Sequence, residues 1–391
     1  MGNTLLSLDS ILAGRFLGTD ALTAMQQVTL LHTKVGNFFI EMTAGILVLA
    51  SKSKHKETVK YNSFITGLIF MSLATLVLIV FKEKFIDIMN VHESIVDLYS
   101  NYYDVYIIST FMWGIFDYLM YLSIGMGDSK TPSKYLFLVH LFNTSIDFIL
   151  VQFIDDIRYL SVTTTLFYGL ASILLFRKLN IRRTKIVLDH FKEILKIGVP
   201  ASFIVLCYSI SNIFITSVVN TYSISIVKAY SITDPVYLIL DSIGSALYST
   251  SATICASGKY MIRELRKFFI KFTYITTTIT SLLGFVIVQI YFSIVTTDPN
   301  ILEYRYIVTI PVVTHMVCNV MDCLTGVHSA INLAKETAMC TFIAVFVRVI
   351  IVATLGSEEF LYLLLAYPIS WVLSNILMEI TYRRAKNVIF K

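Results

Sequence analysis

Apolar residues along this chain run in blocks of membrane-spanning length, not in the short alternating groups of a soluble fold. Twelve such blocks fall near 1–17, 22–50, 61–81, 98–124, 134–153, 159–176, 197–220, 226–255, 268–293, 302–326, 337–355 and 360–381. A helix needs about 20 apolar residues to cross a bilayer, so the pattern predicts about twelve spanning helices and an all-α integral membrane protein. The stretch before Gly18 is short of a full span, and the chain is expected to begin midway through its first helix. Three polar residues break two blocks where hydrocarbon should reject them: Asp9 in the first, and Asn143 and Asp147 in LFNTSIDFILV of the fifth. Asn143 and Asp147 are four apart, hence one turn apart on one helix face. A carboxylate at the bilayer centre costs about 2.5–3.5 kcal/mol on the mildest scale, and such residues characteristically line cavities or ion pathways. The pattern therefore points to a protein that moves something across a membrane.

Charge is confined to the connections and orients the chain. One alternate set of loops holds Lys52, Lys54, Lys56 and Lys60; Lys130 and Lys134; seven basic residues over 177–196; Lys259 to Lys271; Lys335; and Arg383 to Lys391. The other set holds only Arg15, Lys82, Lys84, Arg158, Lys228 and Arg305, a balance of 23 against 6. The positive-inside rule places the first set, and with it both termini, in the cytoplasm, as expected for a plasma-membrane protein. The net charge of +5 then reflects orientation and not nucleic-acid binding. Composition agrees: 56% of residues are hydrophobic, 15% are charged, and mean hydropathy is +0.73, against about a quarter charged in soluble domains. The five cysteines sit in or beside apolar blocks without a CxxC pair and read as small hydrophobic fillers.

The longest polar break, 177–196, divides the chain into an N-terminal bundle (1–176), a cytoplasmic amphipathic linker (177–196) and a C-terminal bundle (197–391), six helices on each side. Traces of repetition support two pseudo-symmetric halves, a common plan among transporter folds. LGTDALTA after the first helix corresponds to YSISIVKA after the seventh, and GMGDSKTPS after the fourth corresponds to INLAKETAM after the tenth.

These segments carry a resemblance. DSILAGRFLGTDALTA, Gly127–Pro132, the pair Asn143 and Asp147, IGVPASF, SNIFITSVVN and AYPISW occur in order along essentially the whole chain. Together they resemble the bacterial multidrug and toxic compound extrusion (MATE) family. The resemblance implies a monomeric secondary antiporter that exports a small, cationic molecule across the lipid bilayer in exchange for H⁺ or Na⁺, without an enzymatic cofactor. By motif match, the coupling site comprises Asp9, Asn143, Asp147 and Thr165 of VTTTLF. The chemistry suits either ion: two carboxylates in a poorly hydrated cavity cannot both ionise cheaply and so exchange a proton, while amide and hydroxyl oxygens also suit Na⁺. The chain departs from the family where DDIRYLSVTTT replaces a Gly-rich start to the sixth helix, and where ASFIVLCYSISN carries no acid in the seventh. Two alternatives stand beside export: a lipid-linked oligosaccharide flippase of the related superfamily, which should line its cavity with more basic residues than Lys34 and Arg348, and an inactive transporter remnant.

Other intramembrane charges admit two readings each. Asp241, Asp322 and Arg348 form either a second cation or substrate site or, for Asp322 with Arg348, a structural ion pair. Lys34 and Glu41, seven apart on one face of the second helix, are either cavity charges that gate or pair, or a lysine that snorkels. Gly125-Met126-Gly127-Asp128 matches the GxGD string of intramembrane aspartyl proteases, but SKTPSK follows directly, so Asp128 reads as a loop cap. No HExxH, Walker A or nucleophile-elbow motif occurs, and the seven histidines lack metal-ligand spacing.

Overall fold

The computed structural model describes residues 9–52, 55–257, 261–331 and 333–389. Lys54, Lys259, Asn332 and Lys391 of the loop readings lie outside them. Helices dominate and no strand occurs among the described residues. The chain divides into two compact units, Met1–Ile213 and Phe214–Lys391.

In the first unit a helical turn at 9–12 runs into a π-helical segment, Ala13–Leu17. Helices α1 (Thr19–Glu41), α2 (Gly45–Lys52), α3 (Lys56–Val80), α4 (Lys82–Ile88), α5 (Val96–Gly125), α6 (Lys130–Leu150), α7 (Arg158–Leu179) and α8 (Leu188–Val219) follow. The second unit takes over within α8 and continues with α9 (Ile224–Ser257), α10 (Ile262–Val295), α11 (Pro299–Leu302), α12 (Ile310–Val313), α13 (His315–Ala330), α14 (Ala334–Thr354) and α15 (Phe360–Ile389).

Eight helical stretches among the described residues are long and apolar enough to cross a membrane. The side chains are distributed inside-out relative to a soluble protein. On α6 the inward stripe is Pro132, Val139, His140, Asn143 and Asp147, whereas Phe137, Leu141, Phe142, Ile146, Phe148 and Ile149 are exposed. Long rows of exposed aliphatics on α3 and α10 repeat the pattern. Water would not tolerate so much contiguous apolar surface; lipid does. This is a multi-pass membrane protein.

One feature differs from the sequence expectation. The second block, expected as one helix over 22–50, breaks at 42–44, where the Thr43 hydroxyl donates to the Ile40 carbonyl at 2.7 Å. The cause is close packing by α8: a Cβ on Gly198 would lie 1.8 Å from the Met42 carbonyl oxygen, and one on Gly45 would lie 2.4 Å from that of Ile194. The 177–196 stretch is part irregular and part helical. Asn180 ends α7 in a left-handed conformation, residues 181–187 are irregular, and α8 starts at Leu188 and runs straight into the seventh span. Asn62 on α3 clips the irregular part in place. Its Nδ2 donates to the Lys185 carbonyl at 3.0 Å, and its Oδ1 accepts from the Val187 amide at 2.8 Å.

Candidate functional site

The first unit gathers Asp9, Asn143 and Asp147 into one buried cluster. Asp9 comes from the turn before the π segment, Asn143, Thr144 and Asp147 from α6, and Thr163 from α7. Relative exposures of 8% for Asp9, 4% for Asn143 and 0% for Asp147 put all three out of contact with bulk solvent. Asn143 bridges the two acids: its Nδ2 donates to Asp147 Oδ2 at 2.8 Å and to Asp9 Oδ2 at 3.2 Å. Thr144 Oγ1 donates to Asp9 Oδ1 at 3.3 Å, and Thr163 Oγ1 donates to Asp147 Oδ1 at 2.6 Å. The Asn143 carbonyl oxygen is buried with no hydrogen-bond partner. One amide therefore bridges two carboxylates, each of which also accepts from a hydroxyl, and the oxygen of that amide is left without a partner. An unpartnered buried acceptor is costly, and a bound cation or proton carrier would satisfy it.

Helix geometry explains the convergence. Asn143, Asp147 and Val139 share the inward stripe of α6, while α7 turns Thr163 and Thr164 inward. A π segment carries an extra residue per turn and is found mostly near functional positions; here it separates Asp9 from α1.

Thr165 does not join the cluster. Its hydroxyl shares a 2.7 Å hydrogen bond with Ser109 on α5, which also donates to the Ser161 carbonyl at 2.8 Å. The hydroxyl on Asp147 belongs to Thr163, because positions two apart on a helix face different neighbours. VTTTLF offers three adjacent threonines, and the register could not be read without the neighbouring helices.

Glu41 accepts from the Tyr121 hydroxyl at 3.2 Å, and Asp117 on α5 lies close enough for its charge to interact with that of Glu41. The sequence reading passed over Asp117, although GIFDYLM carries the same signal as Asp9, an acid inside an apolar block. Lys34 sits on α1 and its carbonyl accepts from Ser209 at 3.3 Å. Asp128 is a cap: Thr131 donates to it through its hydroxyl at 2.6 Å and its amide at 3.0 Å. These bonds hold its carboxyl below the usual range.

In the second unit the suggested ion pair is absent. Arg348 donates from Nε to Ser370 Oγ at 2.8 Å, and its guanidinium lies over the rings of Tyr367 and Trp371, 4.9 and 5.7 Å from their centroids. No ion pair joins it to Asp322 among the described residues. Aromatic faces accommodate a planar cation without a carboxylate. Asp322 turns instead toward α9, where its charge interacts with that of Asp241. It rests on Gly244: a Cβ there would lie 2.2 Å from Asp322 Oδ2 and 2.6 Å from Asn319 Oδ1. No group of three or more His, Cys, Asp or Glu side chains suited to a metal ion occurs among the described residues.

Known proteins give this geometry a context. Residues 3–149 match the family model described as MatE. Among curated relatives, "Probable multidrug resistance protein YpnP" from Bacillus subtilis (strain 168) is 25% identical over 232 residues, covering 55% of this chain and 52% of that protein. The chain spans about half the length of the curated relatives it matches. Solved structures align over nearly its whole length. An inward-facing MATE family multidrug resistance transporter of the MOP superfamily superposes with a TM-score of 0.83 at 15% identity, covering 99% of this chain and 96% of that one. The lipid II flippase MurJ, in an inward closed conformation, superposes at 0.78 and 15% identity, covering 97% and 86%. At these identities the likeness is one of fold.

Proposed function

We propose, for a chain whose residues 3–149 match the MatE family model and whose whole length takes the fold of these transporters, that it is a secondary active antiporter. It exports small organic cations across the membrane in exchange for H⁺ or Na⁺, and Asp9, Asn143, Asp147 and Thr163 bind the coupling ion. The observation that carries this reading is the Asn143 bridge between two sealed carboxylates, with its own carbonyl oxygen left unpartnered. The arrangement holds one positive charge more comfortably than none. Loading and unloading such a charge changes the electrostatics of the bundle, which is what coupling requires. The driving force suffices: each charge crossing is worth about 2.3 kcal/mol per 100 mV, and a tenfold ion gradient adds about 1.4 kcal/mol. Asp241 and Asp322 are proposed as a second acidic site, since Arg348 is engaged elsewhere.

The flippase alternative draws support from the fold shared with the lipid II flippase. A pyrophosphate carrier needs cavity cations, however, and Arg348 is held by Ser370 and two aromatic rings.

The test is ion-driven efflux of a cationic dye from cells or proteoliposomes. Asp147→Asn keeps the shape and removes the charge, so ion-coupled efflux should fall at least tenfold at unchanged membrane abundance. Asn143→Ala should weaken it less. Dye export by Asp147→Asn at the parent rate would reject the site.

A further inference from the structure

A groove of about 550 Å³ runs between α10, α13 and α15 in the second unit. Its mouth carries Arg266, Glu379 and Arg383, near the start of α10 and the end of α15. From Arg383 to Val372 the groove follows eleven residues of α15, about 16 Å at 1.5 Å per residue. Along that length its walls are apolar: Ile270, Val320, Leu324, Ile376 and Ile380. Ile376 and Ile380 are also exposed, so the groove opens sideways to the surroundings of the bundle. Asn375 and Val317, both on the lining, are joined by a hydrogen bond from the Asn375 amide to the Val317 carbonyl at 3.0 Å.

The mouth has an excess of cation. Glu379 accepts from Arg266 and, at 2.8 Å, from Arg383 Nε, so two guanidiniums share one carboxylate. Arg266 is buried and stacked over Tyr382 at 4.1 Å, and its Nε–H has no acceptor. Arg383 is three-quarters exposed and offers its remaining N–H groups outward. A positive mouth at the helix ends above a long apolar slot open to the bilayer is complementary to one class of molecule. Basic pockets between spanning helices hold anionic head groups, and guanidiniums match phosphate oxygens well.

We propose that this groove binds one anionic phospholipid of the surrounding membrane, with its phosphate against Arg383 and Arg266 and an acyl chain along α15 and α13. The inference concerns lipid binding and does not depend on the antiport reading.

The test uses the full chain purified in mild detergent, with phosphatidylglycerol, phosphatidylcholine and inorganic phosphate as probes. Bound mass is read by native mass spectrometry and folding by the melting midpoint. The parent should retain one phosphatidylglycerol and hold it at least tenfold more tightly than phosphatidylcholine. Inorganic phosphate, lacking the chain, should not displace it. Arg383→Gln, at an exposed position, should keep the parent melting midpoint and weaken retention at least fivefold. Val372→Trp should block the slot and abolish retention. Retention unchanged in Arg383→Gln would overturn the proposal, as would displacement by phosphate alone. A dimer that Val372→Trp dissolves without any dependence on phosphatidylglycerol would assign the groove to a second copy of the chain and overturn it as well.

Discussion

Thr163 and Thr165 are two residues apart, about 200° around a helix, and so serve different neighbours. Thr163 places a hydroxyl 2.6 Å from Asp147 Oδ1, and Thr165 joins α7 to Ser109 on α5. A hydrogen bond to a charged group is worth about 1.5–3 kcal/mol and a neutral one about 1 kcal/mol. Thr163→Val should therefore weaken apparent coupling-ion affinity about tenfold or more, read as the ion concentration that half-saturates dye efflux, with little change in the melting midpoint. Thr165→Val should do the reverse, lowering stability by about 1 kcal/mol while leaving that concentration in place. The opposite pattern would return the site to Thr165. The sequence could name Asp9, Asn143 and Asp147 because each breaks an apolar block, which is a local signal. It could not choose among three adjacent threonines, nor see that Arg348 is satisfied by Ser370 and aromatic faces. Those facts depend on contacts between distant segments.

At the scale of elements, two glycines carry different loads. At Gly244 an added Cβ would meet the ends of the Asp322 and Asn319 side chains; at Gly198 it would meet the Met42 backbone carbonyl at 1.8 Å. Side-chain ends can swing away, whereas a backbone carbonyl moves only with its chain segment. Overpacking costs about 1–3 kcal/mol and occasionally more. Gly244→Ala should sit at the low end, keeping abundance near normal while it displaces the Asp322 carboxylate. Gly198→Ala should reach or exceed the upper end, with reduced abundance and a lower melting midpoint in detergent. Equal losses at the two positions would mean that these contacts do not govern the packing of α8 and α9. The same reasoning explains why the break at 42–44 was not legible. Residues 22–50 are continuously helix-compatible, and it is α8, about 150 residues later in the sequence, that forces the turn.

For the molecule as a whole, the spans were readable because hydrocarbon imposes one requirement on every crossing segment. The α6 helix shows where that signal weakens. With Asn143, Thr144, Ser145 and Asp147 it is not among the eight stretches of the described residues that are long and apolar enough to cross a membrane, because the helix that carries the cluster gives up hydropathy to do so. Orientation rests on the basic loops alone and can be tested across α7, a single crossing. Its 22 residues extend about 33 Å, enough for a hydrocarbon core of about 30 Å, so the loops at its two ends face opposite sides. Asp155 precedes it and Lys185 follows it, both exposed, and Asn62 fixes only the backbone at Lys185. Among the native cysteines Cys207 alone is partly exposed, so Cys207→Ser provides a quiet background. In that background Asp155→Cys should react with a membrane-impermeant thiol reagent in intact cells, and Lys185→Cys only after the cells are opened. Reactivity of Lys185→Cys in intact cells would invert the loop assignment. It would also place the mouth of the phospholipid groove in the outer leaflet, because Arg266 and Arg383 belong to the same set of basic segments as Lys185.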